Sequence, residues 1–514
     1  MVMAEQLTPH IGKNVIETLT LGMYDDPRFI YREYVQNAAD QIDQAVEEEI
    51  LSHRSDGIIK ITIFKEGKQI IIEDNATGVA ANSVRGFLSD VANSQKDHTK
   101  RKGFRGIGRL GGLGYCEKLI FETSYKGEGI KSVMTLDANL LRKLISDQKV
   151  KADAATVISM ITKISELQED MQKHYFKVTL ENVKYSEPIL LNEDDVHNYL
   201  SMVAPVEFAE SFSFTTKIKD YFQHKGIVLD EYRVNLNGTP VYKKYSNTMV
   251  DAHGSVFANL LNVSFFEVRD KEGKLLALGW YGISDKVNHV LHKDNIVRGI
   301  RVRKNNITIG DEFTLVPLFK AERTNLRYIG EVHVLGKGFI PNARRDYFNE
   351  TKTRDDFETA LREMFSDFEN ILPYKASSLH NRFKDVLEYH LKEQEFDEVH
   401  DKIGSQVEEL QRREKLDQLR EKALEASREI AKIQYETIEH PQIKDLFNSI
   451  IGDYDYRVQT IDSDSDTREY PPLEFSKVSK EQAEVLNEVV VLLEQHYGYK
   501  EARPIIKKLQ KKYN

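Results

Sequence analysis

At 514 residues, and roughly 150 residues per domain, the chain has room for three or four domains. Forty per cent apolar and 10% aromatic residues argue against a largely disordered chain, and 12 prolines with 28 glycines are too few for a fibrous or low-complexity protein. A net charge of −10 argues against a whole-chain coat of nucleic acid, although it leaves room for local basic patches, and the single cysteine, Cys116, excludes an intrachain disulfide framework and a multi-cysteine zinc site. With no signal-peptide pattern near the N-terminus and no apolar run of about 18 residues, the expectation is a multidomain cytoplasmic protein without a membrane span.

The first 200 or so residues read as mixed α/β. Asp26-Pro27 places a capping acid before a proline suited to a first helical turn. Ile30, Tyr34, Val35, Ala38, Ile42 and Val46 then follow helical spacing. Residues 58–64 and 69–73 are β-branched-rich strands joined through Glu66-Gly67, and residues 118–124 and 175–180 read as further strands. Residues 204–348 alternate strands and turns, with hairpin signals at Asn237-Gly238, at 270–273 and at Asn305-Asn306.

Beyond residue 354 the chain turns helical and charged. Phe396, Val399, Ile403, Val407 and Leu410, then Leu416, Leu419, Ala423, Ala426, Ile430 and Ile433, step by three and four as in a coiled-coil seam. A helical hairpin packed on itself is the alternative. Residues 453–472 read as an acidic linker, and 481–513 as a terminal helical pair.

Three early segments carry candidate chemistry. On the helix after Pro27, Glu33, Asn37 and Asp40 share one face. Asn37 offers an oxygen to a hard cation such as magnesium, and Glu33 a carboxylate to orient or deprotonate water. Next, an apolar strand delivers Asp74, placed to accept a hydrogen bond from an exocyclic amine, and small residues at Ala76 and Gly78 admit a flat ring. Last, residues 103–114 contain G-x-x-G-x-G at Gly103, Gly106 and Gly108, whose backbone N–H groups suit phosphate oxygens. Lys96, Lys100, Arg101, Lys102 and Arg105 make this stretch basic. Each segment alone also has an ordinary explanation as a solvated helix face, a turn or a surface loop.

In this order the segments resemble the GHKL ATPase superfamily, which includes gyrase, the ninety-kilodalton heat-shock chaperones, histidine kinases and MutL; the chain looks most like the heat-shock chaperones. The resemblance implies a multidomain α/β protein: a Bergerat-type ATPase sandwich at 1–203, a second α/β domain of S5-like transducer or middle type at 204–353, charged coiled-coil helices at 354–440, a linker or loop at 441–475 and a helical segment at 476–514. It further implies ATP and Mg2+ as ligands. Glu33 is then the general base, Asn37 the magnesium residue, and Asp40 a member of the nucleotide-facing stripe. Asp74 reads adenine, Gly78 lies beneath the base, and Gly103, Gly106 and Gly108 form the phosphate loop.

Two departures stand out: Ala76 where the family has glycine, and Tyr175-Phe176 where it has Gly-Thr. Residues 339–348 resemble the middle-domain stretch whose arginine reaches the γ-phosphate. Aligned through Asn342, Arg345 takes that role, with Arg344 or Lys304 as alternatives. Glu33 separates the chain from the histidine kinases, so hydrolysis outranks protein phosphorylation. The resemblance implies a homodimeric conformational-switch ATPase acting on a protein client. A MutL- or MORC-like DNA clamp in bacterial genome defence and a non-hydrolysing ATP-sensing scaffold are the alternatives.

Overall fold

The computed structural model describes residues 11–20, 26–89, 108–184, 186–286, 288–370, 372–399, 406–436, 473 and 475–514. The chain divides into two compact units, Met1–Pro373 and Tyr374–Asn514.

In the first unit, α1 (Asn14–Thr20) precedes α2 (Phe29–Glu47). Helix α2 buries Ile30, Tyr34, Val35, Ala38 and Ile42, the positions its apolar spacing picks out. It starts two residues later than the sequence suggests, because Asp26 does not cap it. The Asp26 carboxylate accepts the backbone N–H of Arg28 at 2.9 Å and pairs with its guanidinium at 2.9 Å, an Asx-type turn ahead of the helix.

The elements that follow are β1 (Ile58–Phe64), β2 (Gln69–Asp74), α3 (Ala81–Ser89), β3 (Lys118–Ser124), β4 (Ile130–Asp137), α4 (Ala138–Ser146), α5 (Ala154–Ile161), β5 (Thr162–Gln168), β6 (Tyr175–Glu181) and α6 (Glu193–Val203). After α7 (Thr215–His224) come β7 (Arg233–Leu236) and β8 (Thr239–Pro240), which complete an eight-stranded sheet of order β5-β4-β3-β6-β2-β1-β7-β8. Neighbours are antiparallel except β1 and β7. The sheet thus recruits its last two strands from beyond residue 203. The β7–β8 turn at Asn237-Gly238 has positive φ at both positions, the conformation that this pair favours. One continuous core joins α2, α4, α5 and α6 to the sheet.

A second sheet holds β9 (Thr248–Val250), β10 (Val256–Arg269), β11 (Leu275–Ser284), β12 (Gly299–Lys304), β13 (Ile307–Ile309) and β14 (Ile329–Val334) in the order β13-β12-β14-β11-β10-β9. Its core is aromatic, with Trp280 fully buried against Phe208, Phe212 and Tyr245. Helix α8 (Lys352–Asn370) packs here through Phe365 stacked on Phe319, ring centroids 3.9 Å apart.

The second unit contains nearly all of α9 (Leu372–Val399), together with α10 (Gln406–Glu436) and α11 (Lys480–Tyr513). Arg382 of α9 meets Glu429 of α10 at 2.6 Å, and Leu416, Ala423, Ala426 and Ile430 of the expected seam are buried. The expected terminal helical pair is one continuous helix. Pro504 lies inside it, and burial of Ala502 and Ile506 with Phe475 and Val490 overrides the local break. The acidic stretch 453–472 lies outside the described residues. No described helix is long and apolar enough to cross a membrane.

Candidate active site

The polar stripe of α2 faces into the protein. Glu33 is 6% exposed and Asp40 1%, which rules out a solvated face, while Asn37 is half-buried and its amide has no partner among the described residues. Two contacts define the Glu33 carboxylate. Arg345 Nε lies 2.9 Å from Oε1, an ion pair whose N–H is not aimed along a hydrogen bond. On the other side Gly108 packs so closely that a Cβ there would stand 2.3 Å from Oε2. Arg32, the preceding residue, comes within 3.7 Å of Oε1 and donates to the Arg344 carbonyl at 3.4 Å.

Arg345 is held rather than loosely presented. Its loop is closed by the bridge between Pro341 and Phe348, and the Arg345 N–H donates to the Asn342 carbonyl at 3.2 Å. Its carbonyl accepts from Gly310 at 2.9 Å. The residue adopts φ 59°, a left-handed conformation costing about 1 kcal/mol for a non-glycine, and is 7% exposed. Of the two alternatives, Arg344 is exposed and turns its carbonyl to Arg32. Lys304 donates to the Phe339 carbonyl; burial first, then the nearby Arg345 charge, lowers its ammonium to about 8.

Segment 108–114 is a 3-10 helix laid against α2. Tyr34 ties it down, its hydroxyl donating to the Arg109 carbonyl at 3.0 Å and accepting from Gly112 at 3.3 Å. A Cβ at Gly111 would come 2.8 Å from the Phe29 ring and one at Gly112 2.7 Å from the Tyr34 hydroxyl, so packing on α2 requires small residues here. Gly103, Gly106 and the basic residues from Lys96 to Arg105 lie outside the described residues. Cys116, just behind, is fully buried; its thiol donates to the Gly112 carbonyl and burial pushes it up to about 12, a packing role.

Asp74 ends β2, 4% exposed, and its carboxylate accepts the Ala76 N–H at 3.0 Å. Gly78 has φ 68°, and a Cβ there would lie 2.0 Å from the Ser124 carbonyl oxygen. Its smallness thus answers to the ends of β3 and β6. Ala76 is fully buried and its carbonyl is bonded to His174, so it is not an open ring platform. Phe176 sits opposite Asp74 in the β2–β6 ladder.

Sequence reasoning missed two parts of the site. One is Arg32, whose signal was its position beside Glu33. The other is the buried Thr77 hydroxyl, which donates to Gln41 at 2.6 Å and joins the Asp74 turn to α2; a lone Thr and Gln give no such signal. The donors present fit a magnesium nucleotide. Asn37 is an open oxygen donor on the face that carries Glu33, and magnesium keeps most of its ligands as waters and phosphate oxygens.

Residues 31–171 match the family described as histidine kinase-, DNA gyrase B- and HSP90-like ATPase. The chaperone protein HtpG of Alkaliphilus metalliredigens is 28% identical over 110 residues, a match spanning 20% of this chain and 18% of that protein. The chain therefore contains a Bergerat-type ATPase domain of the GHKL superfamily, distantly related to that of the HSP90-family chaperone HtpG.

Proposed function

We propose that the chain is a Mg-ATP-dependent conformational-switch ATPase of the heat-shock-chaperone type, working as a homodimer on a protein client. The supporting observation is the 2.9 Å meeting of Arg345, from the loop beyond the second sheet, with Glu33 on α2. A base and a cation from distant parts of the chain converge where hydrolysis would need both. Magnesium, when bound, neutralises phosphate charge, and Asn37 would hold it. Glu33 orients the attacking water and takes its proton. Arg345 leaves the carboxylate for the γ-phosphate and stabilises charge there, so nucleotide binding is coupled to the loop that carries it. Asp74 accepts from the adenine amine.

Steady-state ATP hydrolysis, with Glu33→Ala as control, tests this. Turnover that collapses in the variant while ATP still binds is expected; equal rates would overturn the base assignment and leave an ATP-sensing scaffold. A mass that stays monomeric with a non-hydrolysable ATP analogue would remove the dimer.

One feature favours a second reading, an ATP-gated DNA clamp: Arg503, Lys507, Lys508, Lys511 and Lys512 crowd the end of α11. DNA retained only with ATP, and released by salt, would select it over a protein client.

A further inference from the structure

We propose that a second ligand site, separate from the nucleotide face, lies beside the start of α2 and takes a small phosphate-bearing molecule. A cavity of about 470 Å3 opens there, lined by Arg28, Arg32, Tyr199, Lys293, Glu312 and Arg344 among others. That is within the range of small-molecule sites. Glu33, Asn37, Asp40, Asp74, Gly78 and Gly108 take no part in its wall; of the candidate active site, Arg345, its rival Arg344 and Arg32 reach it.

Its charge is unbalanced. Five arginines and one lysine face four acids. The acids are all engaged by the protein: Asp26 by Arg28 at 2.9 Å, Glu312 by Arg301 at 3.3 Å, Asp311 by the Phe313 N–H at 2.8 Å, and Asp346 by the Asn342 amide. The side chains of Lys293 and Arg344, by contrast, make no hydrogen bond or ion pair among the described residues, and both are exposed at the rim. Arg32 and Arg345 also face Glu33 behind the wall, which leaves a surplus of one positive charge. The two cations without a partner among the described residues, Lys293 and Arg344, offer an ammonium and a guanidinium fork to a phosphate group. Phe29, Tyr199 and Phe313 add aromatic walls, giving room for an organic body beyond the phosphate itself.

The phosphate could be the orthophosphate released by hydrolysis or belong to a separate phosphomonoester. Calorimetric titration of the full chain, saturated with ADP, with orthophosphate in one arm and ribose 5-phosphate in the other distinguishes them. At least one probe is expected to bind, at least tenfold more weakly to Lys293→Glu and at wild-type strength to Lys293→Arg. Binding of orthophosphate alone assigns the site to the product, and binding of ribose 5-phosphate to a separate metabolite. No binding of either probe, binding unchanged in Lys293→Glu, or displacement by ADP would overturn the site. The result does not depend on ATP hydrolysis: a chain without turnover that binds ribose 5-phosphate through Lys293 retains it.

Discussion

Two buried glutamates, Glu331 and Glu33, meet arginines in different ways. Glu331 on β14 is wholly buried, with Lys243 and His333 each 2.9 Å from one carboxylate oxygen and Arg303 at 2.5 Å and Tyr245 at 3.2 Å from the other. Arg303 in turn donates to the carbonyls of Asn306 and Met202, both at 2.8 Å, fastening the end of α6 to the second sheet. Glu33 has instead one cation within 3 Å, Arg345 at 2.9 Å, with Arg32 at 3.7 Å, and Arg345 is carried on a loop with left-handed backbone. The same pair of groups thus has four polar partners around the carboxylate in one place and two cations in the other, and in the proposed mechanism only the second contact opens.

If that contrast is right, the largest stability loss should come from the Glu331 network. Glu331→Ala leaves two cations buried without their anion and is expected to cost about 3–5 kcal/mol, read from chemical denaturation of the full chain. A loss below about 1 kcal/mol would mean that the network is dispensable.

At the Glu33 contact the effect should fall on rate. Glu33→Ala is expected to lower ATP turnover by about 100-fold or more, as loss of a general base does, with little change in melting temperature. Gly108→Ala probes the same carboxylate from its other side. A methyl 2.3 Å from Oε2 must displace it, for a loss on the order of 10- to 100-fold in turnover.

The smallest expected effect is a pH dependence confined to the Glu331 network. Burial, only partly opposed by Glu331, lowers the His333 imidazole from 6.5 to about 4. Between those values the unfolded chain binds a proton that the folded chain refuses, so stability falls as pH drops through that window. Glu331 itself is held well below the usual carboxylate range, so its own loss comes at lower pH. Melting temperatures from pH 7 to 4.5 should decline more steeply in the wild type than in His333→Gln; parallel curves would place the titration elsewhere.

Local rules made much of the fold legible. The apolar spacing of α2, the turns at Asn237-Gly238 and Asn305-Asn306 and the strands around Asp74 need only nearby residues to be recognised. What was not legible depends on distant chain. The parallel pairing of β1 with β7 carries a strand across the boundary drawn at residue 203, and no local signal announces it. Lys243, Arg303, Glu331 and His333 look like ordinary solvent-facing charges within strand-like sequence until the fold buries them together. At the candidate site, residue type and order singled out Glu33, Asn37 and Asp74. Arg345 came only through resemblance, with the neighbouring Arg344 as a rival, and its backbone conformation and contact with Glu33 appear only in three dimensions.

The most direct test of the Glu33–Arg345 pair is a double-mutant cycle in ATP hydrolysis on Glu33→Ala, Arg345→Ala and the two combined, at saturating ATP. If the groups act on one step, each single variant loses about 100-fold or more and the combination falls little below the worse single. Turnover in Glu33→Ala equal to wild type, or losses that multiply fully in the double variant, would contradict a shared role for the pair.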